Sequence, residues 1–336
     1  MSRTFILSVL ALAACDTPTD TGDTGEEACG VSVTTFPTDG SFDAYYRGNI
    51  EFKLTKPDST ATIETSIPGT QMVSEDGLTV YWVPSAPLDP STGYSATLHY
   101  CSGDAVIEFT TNTLGTSIAD DSTLRGRTFS LDLANARVTE PPGISSLLSS
   151  ELDGVTIYVG VQDYQGTTLT MIGALGREGA ATPTQEYCDP SIDFPAADFS
   201  ETPHFEIGGQ GSTDISVAGV TVTIDNLRIA GDFASDLSEF GGGVLSGTID
   251  TRPLDMEFGD GEEGFICNTA GALGVECQAC SSDGQPFCLS LVVDSITAAN
   301  IEGLELVEIA GNDCEGCDVG VPPDTSETCP LDETPI

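Results

Sequence analysis

The chain has 336 residues, enough for about two domains, and 39% of them are hydrophobic, which is enough for buried cores. It carries 53 acidic residues against 10 basic ones, a formal net charge of −43 at pH 7. Because that charge repels nucleic-acid phosphates and anionic lipid surfaces, the composition excludes nucleic acid as a partner. We interpret the acidic residues as a solvated surface, with divalent-cation binding as the less favoured alternative.

The N-terminus carries a short apolar segment, residues 5–14, behind Arg3. It is about half the length that a bilayer-spanning helix needs, and the small residues in Leu12-Ala13-Ala14-Cys15 suit a cleavage site. This ending resembles the lipobox of bacterial lipoproteins. The resemblance implies a signal peptide over residues 1–14, cleavage before Cys15, and acylation of Cys15 as the membrane anchor in the cell envelope. The alternative is an ordinary signal peptide with a chance cysteine.

Residues 15–28 contain no large apolar side chain, so they are predicted to form a disordered acidic tether. Asp16, Asp20 and Asp23 lack the spacing of a calcium-binding EF-hand loop, which favours a solvated linker over a calcium site.

Residues 29–114 are predicted to form about seven short strands in an antiparallel β-sandwich. Apolar and polar residues alternate between turn signals in the ranges 31–36, 50–54, 61–65, 78–83, 95–100 and 105–111. Cys29 precedes the first strand and Cys101 ends the sixth, so an up-and-down count places them at one end and predicts a Cys29–Cys101 disulfide. Tyr81 and Trp82 are neighbours on one strand, and we expect one to pack inside and the other to be exposed.

Three motifs stand out in this region: the opening turn Phe36-Pro37-Thr38-Asp39-Gly40, the segment PLDPSTGYSATL at 87–98, and the closing segment 107–111. Together they resemble bacterial Ig-like domains of envelope and S-layer proteins. The resemblance covers roughly a quarter of the chain. It implies a spacer or binding module without catalytic residues, and it implies that Tyr94 forms a tyrosine corner, its hydroxyl bonding back to the preceding loop.

Residues 115–123 are a predicted linker, and residues 124–313 are predicted to form a second β-rich domain. Its predicted strands are 128–133, 155–164, 167–175, 213–224, 227–233, 244–251, 287–293 and 304–309. Ile144, Leu147, Leu148 and Leu152 have helical spacing and predict one amphipathic helix. The fold class is therefore mainly β, with a barrel or curved sheet that this helix covers on one side or end.

Eleven cysteines are present, and lipid attachment at Cys15 leaves an even set that predicts five disulfides. The ten candidates are Cys29, Cys101, Cys188, Cys267, Cys277, Cys280, Cys288, Cys314, Cys317 and Cys329. Two Cys-x2-Cys pairs suggest zinc, but they lie too far apart for a zinc ribbon and no histidine is near. We therefore predict no metal site and expect local bridges such as Cys267–Cys277 and Cys280–Cys288, with the last three cysteines in a C-terminal tail, residues 314–336.

No catalytic constellation is visible in the sequence. His99 and His204 are its only histidines, and both are predicted on strands. The glycine-rich runs 208–211 and 241–243 lack the setting of a phosphate-binding loop and are interpreted as loop tips. The acidic loop 255–264 could hold calcium, with low specificity. No catalytic residue and no cofactor is predicted.

The sequence therefore predicts an envelope lipoprotein that serves as a structural or binding module and is not an enzyme. Its expected partners are the membrane, through Cys15, and an envelope protein or glycan. One alternative is a carrier of hydrophobic ligands, which requires an apolar cavity in the second domain. The other is a carboxylate-dependent glycan hydrolase, which requires two carboxylates about 5–10 Å apart in an aromatic-lined cleft.

Overall fold

The computed structural model describes residues 29–309, apart from 75, 142–154, 178, 188, 209–210, 218–219, 260–261 and 273. The fold is mainly β, as predicted. The predicted signal peptide, the tether at 15–28, the helix at 144–152 and the tail at 314–336 lie outside the described residues. Among the described residues, no helix combines the length and the apolar character that spanning a bilayer would need.

The first domain is a sandwich of two antiparallel sheets, ordered β1-β2-β5-β4 and β3-β6-β7. Its strands are β1 (Val33–Phe36), β2 (Ile50–Leu54), β3 (Thr62–Thr65), β4 (Gly69–Val73), β5 (Thr79–Pro84), β6 (Gly93–Tyr100) and β7 (Gly103–Thr110). Period-two alternation buries Ile50, Phe52 and Leu54 between the sheets. Each of the six predicted ranges overlaps a strand, and β4 completes the predicted number of about seven. The additional edge strand, β4, shows no apolar alternation that could have revealed it.

Two predicted local features of the sandwich are confirmed. Cys29 and Cys101 form a disulfide with Cα atoms 5.9 Å apart. The Tyr94 hydroxyl accepts a hydrogen bond of 2.9 Å from the backbone N–H of Asp89, so Tyr94 closes the loop before β6. Of the two neighbours on β5, Trp82 packs against the sandwich core. Tyr81 is half-buried, whereas we expected the second of the two to be exposed.

The second domain is a closed antiparallel barrel of eight strands in up-and-down order. The barrel strands are β8 (Thr128–Asp132), β10 (Ile157–Tyr164), β11 (Thr168–Leu175), β13 (Ala197–Asp198), β14 (His204–Gly208), β16 (Val220–Phe233), β17 (Glu239–Asp250) and β18 (Cys288–Asn300). Three further strands pair along its edges: β9 (Arg137–Glu140), β12 (Ile192–Asp193) and β15 (Ser212–Val217). Pairing of β18 with β8 and of β10 with β11 completes the closure.

Aromatic side chains fill the barrel. Phe129, Phe199, Phe205, Phe233 and Phe240 are at most 3% exposed, and their ring centroids lie 4.9–6.0 Å apart in contacting pairs. An eight-stranded barrel has an interior just wide enough for side chains to occupy. The interior of this barrel is therefore a packed core.

Two short helices, α1 (Arg252–Phe258) and α2 (Phe265–Ala272), follow β17 and were not predicted. Asp255 is buried and accepts backbone hydrogen bonds of 2.8 Å from Gly264 and from Ile266, which caps the start of α2. Asp255 in the predicted acidic loop thus has a structural role. Each helix spans about two turns, too short for apolar periodicity to reveal it.

Disulfides stabilise the segment after α1. Cys267 pairs with Cys277, and Cys280 pairs with Cys288, as predicted. The second bridge closes a small turn in which Gln278 and Cys288 exchange backbone hydrogen bonds of 2.7 and 3.0 Å. The Asp283-Gly284 turn lies inside this bridge, with Gly284 at a φ of 73°.

Three predictions in the second domain are wrong. The range 213–224 is not one strand, because β15 and β16 form a hairpin within it. The range 304–309 forms no strand; the N–H and the carbonyl of Val307 are instead hydrogen-bonded by the side chain of Gln185. The glycines at 241–243 are not a loop tip, because they lie within β17.

Candidate functional site: a groove at the domain junction

A concave surface lies on the outer face of the barrel, where the sandwich meets it. Phe205 and Ile207 of β14 point into the barrel, so His204 and Glu206 point outward. The register pairs His204 with Asp232 of β16, which places both on the outer face. The groove has a volume of about 1060 Å³. Its polar lining comes from Tyr45, Arg47, Asp198, Ser200, Glu201, His204, Glu206, Asn226 and Arg228.

Asp232 is the centre of the junction and is fully buried. Its carboxylate accepts hydrogen bonds from the hydroxyls of Tyr45 and Tyr46, the latter at 2.5 Å, and from His204 Nδ1 at 3.0 Å. The Nε of Arg47 lies 3.9 Å away. Tyr45, Tyr46 and Arg47 belong to the segment between β1 and β2 of the sandwich. A buried carboxylate requires such donors, so the two domains satisfy this group together.

Both tyrosines remain protonated donors. Burial, reinforced by the neighbouring Asp232 carboxylate, raises the pKa of Tyr45 and of Tyr46 well above the usual tyrosine range. Arg47 Nε donates to the Tyr46 hydroxyl at 2.9 Å and completes a chain of hydrogen bonds that ends on Asp232.

The close approach of the Tyr45 ring explains why β17 has a glycine at position 242. Its φ is +59°, and a Cβ atom at this position would overlap the ring of Tyr45. The absence of a side chain therefore lets the Tyr45 ring rest on the strand and reach Asp232. The adjacent Gly241 would bring a Cβ to 2.9 Å from Leu114, a residue of the sandwich core.

A second contact joins the domains through Arg137 of β9. Its guanidinium makes two hydrogen bonds of 2.8 and 2.9 Å to Glu51 of β2, and two of 2.7 and 2.8 Å to Asp294 of β18. It also lies 3.7 Å from the ring centroid of Phe36. This geometry combines paired charge-assisted hydrogen bonds with a cation–π contact.

Ion pairs form the walls of the groove. Arg47 Nη2 contacts Glu201 Oε2 at 2.9 Å, and Arg228 makes a bidentate pair with Glu206 at 2.9 Å for both bonds. Asp198 lies opposite Glu206 in the pairing of β13 with β14, so the two carboxylates share the outer face.

Both of these carboxylates stay ionised near neutral pH. The backbone N–H of Ser200 lowers the pKa of Asp198, and the hydrogen bonds from Arg228 lower the pKa of Glu206. The groove therefore presents carboxylate acceptors beside guanidinium donors, an arrangement suited to binding polar groups.

None of the six cysteines that the structure describes lines the groove. These six form the three disulfides, whereas Cys15, Cys188, Cys314, Cys317 and Cys329 lie outside the described residues. His99 is exposed on the sandwich and paired with Glu64 and Asp104, while His204 begins β14 and reaches the junction. The sequence reasoning missed Asp232 and the run Tyr45-Tyr46-Arg47. The signal that could have pointed to this run was its composition, two aromatic residues followed by a cation between two predicted strands.

Within the part of the chain that the structure describes, no group of three or more His, Cys, Asp or Glu residues is arranged to hold a metal ion. The chain matches no protein-family model, and no curated protein sequence matches it.

Proposed function

We propose that the protein is a cell-envelope lipoprotein, anchored through Cys15, that presents a non-enzymatic binding module at the membrane surface. The binding surface is the groove between the sandwich and the barrel. Residues 15–28 serve as the spacer that holds this surface away from the lipid.

The observation that carries the proposal is the shared burial of Asp232. Donors from both domains converge on this one carboxylate, so the groove beside it has walls from the sandwich and from the barrel. Ligand sites occur preferentially at such domain interfaces.

Two observations favour binding over the alternatives. A glycan hydrolase needs a carboxyl group free to act as a general acid, yet Glu206 is held by two hydrogen bonds from Arg228, and Glu201 is paired with Arg47, all at 2.9 Å. A carrier of hydrophobic ligands needs an apolar cavity, yet the barrel interior is occupied by its phenylalanine cluster.

Lipid attachment tests the anchoring half of the proposal. The full chain is expressed with its leader in a bacterial host and compared with Cys15→Ser, with Thr17→Ala as a control in the same tether. We expect the wild type and Thr17→Ala to partition into detergent and to carry an acylated N-terminal peptide by mass spectrometry. We expect Cys15→Ser to lose both properties. A wild-type chain with an unmodified Cys15 would contradict the proposal.

A further inference from the structure

We infer that the groove binds a neutral, polyhydroxylated ligand of the oligosaccharide class. The inference rests on the proposed function, since it names the ligand of the same binding module. Three observations support it: the charges in the groove walls are paired, hydrogen-bonding groups remain available to a ligand, and part of the groove lining is apolar.

The pairing of charges disfavours an ionic ligand. Each arginine of the groove has a glutamate at 2.9 Å, Arg47 with Glu201 and Arg228 with Glu206. An anion would have to displace a glutamate, and it would approach a chain of net charge −43. A cation reaching Glu201 or Glu206 would meet the arginine already bound there, so Asp198, whose described hydrogen bond comes from the Ser200 N–H, is the lining carboxylate that the cationic probe tests. A neutral ligand pays neither of these electrostatic penalties.

The remaining hydrogen-bonding groups match hydroxyls. Arg47 and Arg228 each use Nε and Nη2 in their hydrogen bonds within the described residues, which leaves further N–H donors on each guanidinium. Asp198 and Glu206 are ionised and accept hydrogen bonds. Donors and acceptors thus stand side by side, and a hydroxyl is the group that can donate to one and accept from the other.

The floor of the groove suits the apolar faces of sugar rings. Val244 of β17 is partly exposed and pairs with the buried Ala230 of β16, and Gly208 adds no side chain at the end of β14. The volume of about 1060 Å³ slightly exceeds the range of about 300–1,000 Å³ that is common for ligand pockets. This size favours a ligand of several sugar units over a single monosaccharide.

The test is a titration of the full chain with neutral tetrasaccharides. The protein is kept in a detergent that contains no sugar, and maltotetraose, cellotetraose and chitotetraose are added separately, with tetralysine as a cationic probe. Binding is followed through amide chemical shifts. We expect at least one tetrasaccharide to bind, with shifts at the outward residues of β14 and β16, and tetralysine to leave these residues unchanged.

Two variants locate the site. Arg228→Met and Asp198→Asn are expected to weaken tetrasaccharide binding about tenfold or more, because each removes a charged hydrogen-bonding group. Arg125→Met is the matched control, since Arg125 is 70% exposed and lies outside the groove. We expect it to bind like the wild type.

The inference would be overturned if none of the three tetrasaccharides bound at about 10 mM, a practical upper limit for detecting weak binding. Binding of tetralysine at these residues would also overturn it. So would tetrasaccharide binding that the groove variants leave unchanged. Lipid attachment at Cys15 is measured separately, so a lipidated protein that binds no tetrasaccharide would refute the ligand class and leave the anchoring proposal intact.

Discussion

At the scale of single residues, the domain junction depends on groups whose role is set by a distant part of the chain. Asp232 is one of 53 acidic residues, and nothing in its neighbourhood marks it as buried. Its burial comes from Tyr45 and Tyr46, which lie 187 and 186 residues earlier. By contrast, the role of Tyr94 was implied by the resemblance of segment 87–98 to Ig-like domains, and its partner, Asp89, is only five residues away within that segment.

Gly242 provides a residue-scale prediction. We expect Gly242→Ala to destabilise the protein more than Gly166→Ala. Both glycines have positive φ, but only at Gly242 does the ring of Tyr45 occupy the space that a Cβ atom would need. Backbone strain alone should cost about 1 kcal/mol in each variant. The clash with Tyr45 should add about 1–3 kcal/mol to the loss in Gly242→Ala.

Urea unfolding of the two glycine variants measures this difference. The control, Gly166→Ala, reports strain without a clash, since no atom lies within 4 Å of a Cβ at that position. Equal losses in the free energy of unfolding would mean that the Tyr45 ring does not require the space above Gly242.

At the scale of elements, long alternating strands could be predicted and short elements could not. β10 and β11 form a hairpin around Gln165-Gly166, and their alternation and turn composition are local signals. The strands β12 and β13 have two residues each, and both pair with β11, about 20 or more residues earlier in the chain. Long-range pairing of this kind leaves no periodic trace in so few residues.

The run at 241–243 shows how tertiary context overrides a local pattern. Three successive glycines are typical of a loop, yet here they lie in β17 where its pairing with β18 is irregular. Glycine permits the bulged backbone and the close approach of Tyr45.

The cysteines give a prediction at this scale. Three disulfides are formed, and Cys188, Cys314, Cys317 and Cys329 are the cysteines left after Cys15 is assigned to lipid. An even set in an exported protein predicts two further bridges, one of which must join Cys188 to one of the other three. We expect the exported, denatured protein to show no thiol that reacts with iodoacetamide before reduction.

Peptide mapping without reduction identifies the bridges. We expect a peptide containing Cys188 linked to one containing Cys314, Cys317 or Cys329, and the three described pairs serve as internal controls. Alkylation of Cys188 in the unreduced protein would contradict the prediction.

At the scale of the whole molecule, two β domains with separate cores are joined mainly by polar contacts. The Asp232 centre and the Arg137 contact both bring donors and carboxylates from different domains together. Ala234 of the barrel also packs in the sandwich core. The two β-rich domains and three of the disulfides were predictable from composition, alternation and cysteine spacing. The groove was not, because it exists only where the two domains meet.

The most direct test of the account is whether Asp232 couples the two domains. Trp82 is the only tryptophan and packs in the sandwich, so its fluorescence reports the unfolding of that domain, while hydrogen exchange of β16 and β17 peptides reports the barrel. Asp232→Ala leaves the buried donors Tyr45, Tyr46 and His204 without their acceptor, which should cost about 3 kcal/mol or more. Asp43→Ala, at an exposed position of the same sandwich segment, is the control.

In urea, we expect the wild type and Asp43→Ala to lose both signals at one shared midpoint. We expect Asp232→Ala to unfold at lower urea, with the fluorescence and exchange midpoints separated. If Asp232→Ala unfolds like Asp43→Ala, with both signals still coincident, the junction does not depend on Asp232, and the account of a groove built jointly by the two domains is wrong.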